Sequence, residues 1–301
     1  MPTTSRRGFI KAAALATTAP LSLALARPAG AIPPIGRTRP SHLKLSIAAY
    51  SYRQYLTGTS PKMDLFDFVN LAADLAVDAV EPTSYYFPAN VDSEYLHRLQ
   101  HHAFLLGLDI SGTAVGNNFC LPAGPERDKQ LALVRTWVDH AADLDAPVIR
   151  IFAGYVPKGD SEDAAFARAV EGIKASLPYA AEKGVTLALE NHGGITATSA
   201  QIIKLVNAVD GPNFGVNLDT GNFHGEDPYA ELAQLAPYAV NVQVKTEMNR
   251  QGKKEDADLA RLVTILRDAR YSGYVVLEYE AAEDPLTAIP RHIKALRKLI
   301  S

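Results

Sequence analysis

Cysteine is almost missing from this chain. Cys120 is the only one among 301 residues, so no intrachain disulfide can form and stability has to come from the core. An excess of positive charge is missing too. Lys and Arg number 30 against 33 Asp and Glu, and Arg6, Arg7, Lys11 and Arg27 fall in an N-terminal stretch that holds no acid. The rest of the chain therefore carries a net charge of about −7. That balance lacks the basic footprint that nucleic-acid binding needs, and it suits a small neutral substrate. There is no glycine-rich loop of a recognisable phosphate-cradling type, so a phosphorylated sugar is not indicated. There is also no low-complexity tract, short repeat or sign of a second domain. The apolar, alanine-rich run that ends at Ala26 is too short to span a bilayer, which argues against a permanent membrane anchor.

What is present at the N-terminus has the build of an export signal. Ser5-Arg6-Arg7-Gly8-Phe9-Ile10-Lys11 precedes that apolar run, and Ala29-Gly30-Ala31 offers small residues for cleavage. The arginine pair resembles a twin-arginine signal. It implies the twin-arginine export machinery as a partner and a periplasmic or secreted product after cleavage near Ala31. On this reading residues 1–31 are the signal, 32–43 a linker, and 44–301 one domain, ample for a single large core.

Through that domain, apolar alternation gives way repeatedly to helical periodicity. Strands are expected at Leu45 to Tyr50, Val77 to Glu81, Leu108 to Thr113, Val148 to Phe152, Thr186 to Glu190, Phe214 to Asp219, Val240 to Lys245 and Val275 to Glu280. Helices are expected between them: Leu65 to Ala76 begun by Asp64, then Ser93 to Leu106, Glu126 to Leu144, and Asp163 to Lys183 stopped by Gly184. The rest lie near Ser199 to Ala208, Pro228 to Leu235, Asp258 to Ala269 and Pro285 to Leu299. Eight strand and helix units in about 250 residues imply an α/β fold, a single (β/α)8 TIM barrel. An open doubly wound sheet is disfavoured, because its central strands would be apolar on both faces.

Here one parity of the later strands is apolar and the other turns acidic or amidic. Glu190 shares a face with Thr186 and Ala188, Asp219 with Asn217, Gln243 with Asn241 and Lys245, and Glu278 with Glu280. In a barrel of this type the active site lies at the C-terminal ends of the strands, so Glu190, Asp219, Gln243 and Glu278 converge there. Three carboxylates meeting without a cation raise one another's pKa, and a divalent metal would resolve the repulsion. Four oxygen donors favour a hard ion, Mg²⁺, Mn²⁺ or Ca²⁺, over Zn²⁺. The alternative is that Arg150 and Lys245 neutralise the acids in a salt-bridged rim.

The order Glu190-Asn191-His192, Asp219-Thr220-Gly221-Asn222, Gln243 with Lys245, and Leu277-Glu278-Tyr279-Glu280 resembles the xylose isomerase-like barrel superfamily, in particular its sugar isomerase and epimerase branch. The resemblance implies one divalent cation held by Glu190, Asp219, Gln243 and Glu278, with Glu190 and Glu278 doubling as the proton-shuttling catalytic pair. The third ligand, usually histidine in that family, is Gln243 here, and Asn222 stands where many of its epimerases have a substrate-binding histidine. Loading in the cytoplasm before export would favour Mn²⁺ or Mg²⁺.

Abstraction of a proton α to a carbonyl leads to epimerisation, isomerisation or, when a β-substituent leaves, elimination. The expected substrate is a carbohydrate, a sugar or keto-sugar for an isomerase or epimerase and a keto-glycoside for a lyase. His192, Lys245, Asn222, Glu81, Tyr50 and Tyr86 are the candidate substrate contacts, the tyrosines because their faces stack on a pyranose. A catalytically silent sugar-binding barrel is the alternative of another class, and a DNA-repair nuclease is opposed by the acidic charge. The sequence leaves open whether the chain forms a homo-oligomer.

Overall fold

A computed structural model describes residues 34–301; the expected signal and the first part of the linker lie outside the described residues. The alternation of periods resolves into β1 (Leu43–Ala48), a short α1 (Arg53–Leu56), α2 (Leu65–Asp74), β2 (Ala79–Glu81) and α3 (Ser93–Leu105). There follow β3 (Asp109–Ile110), β4 (Thr113–Ala114), α4 (Pro125–Asp143), β5 (Val148–Ile151), α5 (Glu162–Glu182) and β6 (Thr186–Glu190). Then come α6 (Ser199–Val209), β7 (Phe214–Asp219), α7 (Pro228–Leu235) and β8 (Ala239–Val244). The chain ends with β9 (Glu247–Arg250), β10 (Lys253–Asp256), α8 (Leu259–Asp268), β11 (Gly273–Leu277) and α9 (Pro285–Ile300). Most of the long helices open on a side-chain cap that accepts a free backbone N–H: Asp64, Asp92, Ser161, Thr198, Asp227, Asp258 and Asp284. Gly184 stops α5 with a φ of 73°, as expected.

Nine strands form one sheet in the order β3-β2-β1-β11-β8-β7-β6-β5-β4, with every pairing in it parallel. The two strands at its ends are halves of one stretch. β3 pairs with β2, the ladder breaks at Ser111-Gly112, and β4 pairs with β5, so the sheet closes on itself through a strand that changes neighbour midway. Gly112 is required at the break, because a Cβ there would lie 2.8 Å from Val148 Cγ1 and 3.1 Å from its carbonyl oxygen. The expected (β/α)8 barrel is therefore the fold, with its third strand in two pieces.

The alternation sorts side chains as expected. Leu187, Leu189, Val216, Leu218, Val242, Val244, Val275 and Leu277 belong to the apolar core cluster, which also takes Leu262, Leu266, Ile289, Ile293 and Leu296 from α8 and α9. Each such side chain contributes roughly 1.5–3 kcal/mol when fully buried. The opposite parity faces the barrel axis, and that interior is polar. Lys44 Nζ lies 2.7 Å from Asp109 Oδ2, Ser46 Oγ lies 2.8 Å from Ser111 Oγ, and Glu81 meets Asn241 and Gln243. None of these pairs joins neighbouring strands; the Ser46 and Glu81 contacts are buried inside the barrel, while Lys44 and Asp109 meet in the open at its N-terminal end.

One element was not expected. β9 and β10 form an antiparallel hairpin between β8 and α8, turned at Gln251-Gly252, where both residues have positive φ as a type I′ turn requires.

Candidate active site

The C-terminal ends of β6, β7, β8 and β11 bring Glu190, Asp219, Lys245 and Glu278 into one buried cluster. Its centre is a lysine. Lys245 Nζ lies 3.2 Å from Asp219 Oδ2, 3.0 Å from Glu278 Oε1 and 2.9 Å from Glu280 Oε1. Burial works against its charge, but Asp219, Glu278 and Glu280 outweigh that and hold its pKa well above the usual lysine value. Beside it, Arg150 Nε lies 2.8 Å from Glu190 Oε2, and Asn222 Nδ2 donates to Glu190 Oε1 at 3.0 Å.

Local structure pins these groups. The Lys245 backbone N–H donates to Thr220 Oγ1 at 2.9 Å, and Asn191 clamps the Asp219 backbone, accepting from its N–H at 2.9 Å and donating to its carbonyl at 2.8 Å. The lysine stem runs against Gly221, where a Cβ would stand 2.6 Å from Lys245 Cγ. Asp219 Oδ1 accepts from the Gly221 N–H at 2.8 Å, whereas the buried Oδ2, although within ion-pair range of Lys245, has no aligned hydrogen bond among the described residues.

This arrangement corrects the expectation of a bound divalent cation. Among the described residues no group of three or more His, Cys, Asp or Glu side chains is arranged to hold a metal ion. The physical reason is that the acids' charge is already met: Asp219 and Glu278 by Lys245, Glu190 by Arg150. Gln243, expected as the fourth ligand, has both ends of its amide engaged. Its Nε2 donates to Glu81 Oε1 at 2.6 Å, and its Oε1 accepts from Asn217 Nδ2 at 2.7 Å. The residues present do not fit Mn²⁺, Mg²⁺, Ca²⁺ or Zn²⁺.

Gln243 belongs to a closed ring beneath the cluster. Asn241 Nδ2 donates to Glu81 Oε2 at 2.7 Å and to Asn217 Oδ1 at 2.9 Å, which completes the circuit Glu81, Gln243, Asn217, Asn241. Glu81 is fully buried with both oxygens occupied, so it sits in the floor of the site and not at the mouth where a substrate contact was expected. Burial, reinforced by Glu278, raises its pKa to about 7. Asp219 is raised to about 7 by burial, and burial also carries Glu190 well above the ordinary carboxylate range, with Arg150 partly opposing.

The remaining candidates ring the mouth. The Tyr50 ring lies 5.9 Å from Lys245 Nζ and 6.4 Å from the Tyr85 ring, and Tyr86 packs edge-on to Tyr85 at 6.2 Å. On the other side His192 stacks 4.3 Å from Phe152, its Nδ1 3.1 Å from the exposed Tyr155 hydroxyl. Burial, with Arg150 and Lys245 nearby, lowers the His192 pKa. A cavity of about 230 Å³ opens on Lys245, Asn222 and Glu280 and is walled by the β9–β10 hairpin through Glu247, Met248 and Asn249. Asn217, Asn241 and Glu280, named in the sequence for their parity and given no role there, join the site. Their signal was their place on the polar parity.

A family model described as xylose isomerase-like TIM barrel matches residues 69–299. No curated protein matches the chain by sequence. Among solved structures it is similar to a xylose isomerase domain protein from Planctomyces limnophilus (18% identity, 86% of this chain and 98% of that one, TM-score 0.65). It is similar also to D-psicose 3-epimerase from Clostridium cellulolyticum H10 (18%, 85% and 91%, TM-score 0.67) and 3-keto-D-glucoside 4-epimerase from E. coli (16%, 86% and 99%, TM-score 0.64). At these identities the likeness shows the fold. No helix of the described residues is long and apolar enough to cross a membrane.

Proposed function

Since this chain belongs to the xylose isomerase-like TIM barrel family, we propose that it moves a proton α to the carbonyl of a sugar or keto-sugar, as an isomerase or epimerase. The observation that carries this reading is the pairing of Glu190 and Glu278 in one buried, cation-centred cluster, delivered from different strands. Glu190, pushed up by burial with Arg150 partly opposing, takes the part of the acid. Glu278 is the base. It takes the α-proton as the C–H pair becomes a C=C bond and the carbonyl π pair moves onto oxygen. Glu190 then delivers a proton to the opposite face and the same carbonyl re-forms, or to the former carbonyl carbon, in which case the neighbouring hydroxyl gives its proton to the former carbonyl oxygen as its own C=O forms; solvent resets the two carboxyls. General acid and base groups so placed are worth typically 10²–10⁴ in rate.

Asn222 and His192 are substrate hydrogen-bonding groups in this scheme, and Tyr50 and Tyr86 are stacking faces. The polar cavity beside Lys245 supports an uncharged polyhydroxyl ligand, since Lys254 there is already paired with Glu247 at 3.0 Å. The resemblance of the Arg6-Arg7 stretch to an export signal supports a place of action outside the cytoplasm, and N-terminal sequencing of secreted material should then start just after Ala31.

Incubation with ketoses and keto-glycosides in D₂O tests the activity. Deuterium entering at carbon with the glycosidic bond intact is the expected result, and Glu190→Gln and Glu278→Gln should each lower its rate about 10²-fold or more. Release of an aglycone instead would assign a β-eliminating lyase. Sugar binding without exchange would leave a silent binding barrel.

A further inference from the structure

Converging acids demand a positive charge, and the chain supplies its own. We propose that the Lys245 ammonium is the electrophilic centre of the site, binding the substrate carbonyl oxygen and holding the enediolate formed when the α-proton leaves. This deepens the proton-transfer reading above and rests on it. Four observations lead there. Lys245 Nζ is within 3.2 Å of carboxylate oxygens from Asp219, Glu278 and Glu280, the central position a shared cation must take. An ammonium has three N–H donors, yet among the described residues it makes one aligned hydrogen bond, to Glu278 Oε1. The contacts to Asp219 and Glu280, at 3.2 and 2.9 Å, are unaligned ion pairs whose N–H donors can turn to a ligand oxygen. The lysine also lines the cavity, as Glu280 does and Asp219 and Glu278 do not, so a ligand there meets the cation's side of the cluster. Finally, Asp219 Oδ2 is 3.2 Å from Nζ with no aligned donor, and stands ready to accept from the hydroxyl adjacent to the carbonyl.

The chemistry balances without a co-reactant. The oxyanion created by α-proton loss is met by an ammonium already in place beside it, a preorganised charge. The lysine forms no covalent bond. Its neighbours keep it protonated, and a protonated amine is no nucleophile.

Mn²⁺ is the probe. Full-length protein stripped with a chelator is titrated with MnCl₂ and free ion is followed by electron paramagnetic resonance, alongside the D₂O exchange assay. Wild type is expected to take up no stoichiometric Mn²⁺ and to exchange label undiminished by chelator. Lys245→Met opens the carboxylate cluster and should gain one Mn²⁺ per chain, at least about tenfold tighter than any uptake by wild type. One tight Mn²⁺ in wild type, or a folded Lys245→Met that gains none, overturns the proposal. Should Lys245→Met not fold, Lys245→Arg keeps the charge but not the compact ammonium. It is expected to lose exchange at least about 10²-fold with KM for the sugar little changed, and an unaltered rate overturns the proposal. Exchange that appears only when Mn²⁺ is added to wild type sinks this inference and leaves the proton-transfer reading standing. No exchange under any condition sinks both.

Discussion

Glu81 shows how much of this site rests on single polar atoms. Its two oxygens each accept from an amide, and those amides are in turn fixed through Asn217. Asn217→Ala would strand the Gln243 carbonyl in a dry interior. A loss of about 1–3 kcal/mol by urea denaturation is expected, the cost of an unsatisfied buried group. The carboxyl itself gives a pH signature. Its folded value, about 7, lies above its ordinary value of 4.5, so between those limits the folded chain keeps a proton that the unfolded chain has released. The stabilisation is complete below about pH 4.5 and lost as pH rises through 7. Relative to Glu81→Gln, which cannot ionise, wild type should therefore lose up to about 3 kcal/mol of stability across that window. A difference in Tm that is flat with pH would contradict the raised value. None of this was visible in the sequence beyond parity. Asn217, Asn241 and Gln243 stand on the inward face of their strands, but which amide meets which carboxyl depends on the stagger of β2 against β8 across the barrel.

Strands and helices were legible because their periods differ and their caps are explicit. Asp64, Gly184 and the apolar parities of β6, β7, β8 and β11 each mark an element by residue type and spacing alone. The β9–β10 hairpin escaped because Glu247–Arg250 and Lys253–Asp256 are mostly polar on both parities, and its turn is Gln-Gly where the usual signal is Asn-Gly or Asp-Gly. Helix α5 supplies a test in which propensity and packing disagree. Alanine is favoured over glycine inside a helix by about 1 kcal/mol. At Gly172, however, a Cβ would come 2.7 Å from Cδ1 of Phe119, a ring fully buried under the helix. Packing should win. Gly172→Ala is expected to cost about 1–3 kcal/mol of stability, measured by urea titration, where helix propensity alone predicts a gain.

At the scale of the whole molecule, the count of eight units was enough for a closed barrel, and the meeting of acids at its rim followed from parity. What fills the space between the acids was left between two readings, a divalent metal and a rim neutralised by Arg150 and Lys245, and the structure shows the second. Lys245 shares a parity with Gln243, which places it at the mouth but leaves its long stem free to point out or in. The structure turns it inward against Gly221, so a tethered cation takes the position that sequence reasoning gave to a dissolved one. Resistance to chelators is the corresponding property of the intact protein. Its Tm should be unchanged by EDTA, and a fall of several degrees would contradict a cluster neutralised from within.

The two-piece third strand has a mechanical consequence. Elsewhere the wall is held by ladders several residues long, but here β3 and β4 offer two residues each to their neighbours, helped by Thr113 Oγ1 on the Pro82 carbonyl at 2.6 Å. A hoop parts at its thinnest stave. Amide hydrogens from Asp109 to Val115 should exchange with deuterated solvent sooner than those of β6 and β7. Such opening would begin beside Arg150 and Glu81, admitting water to the axis from the flank as well as from the mouth.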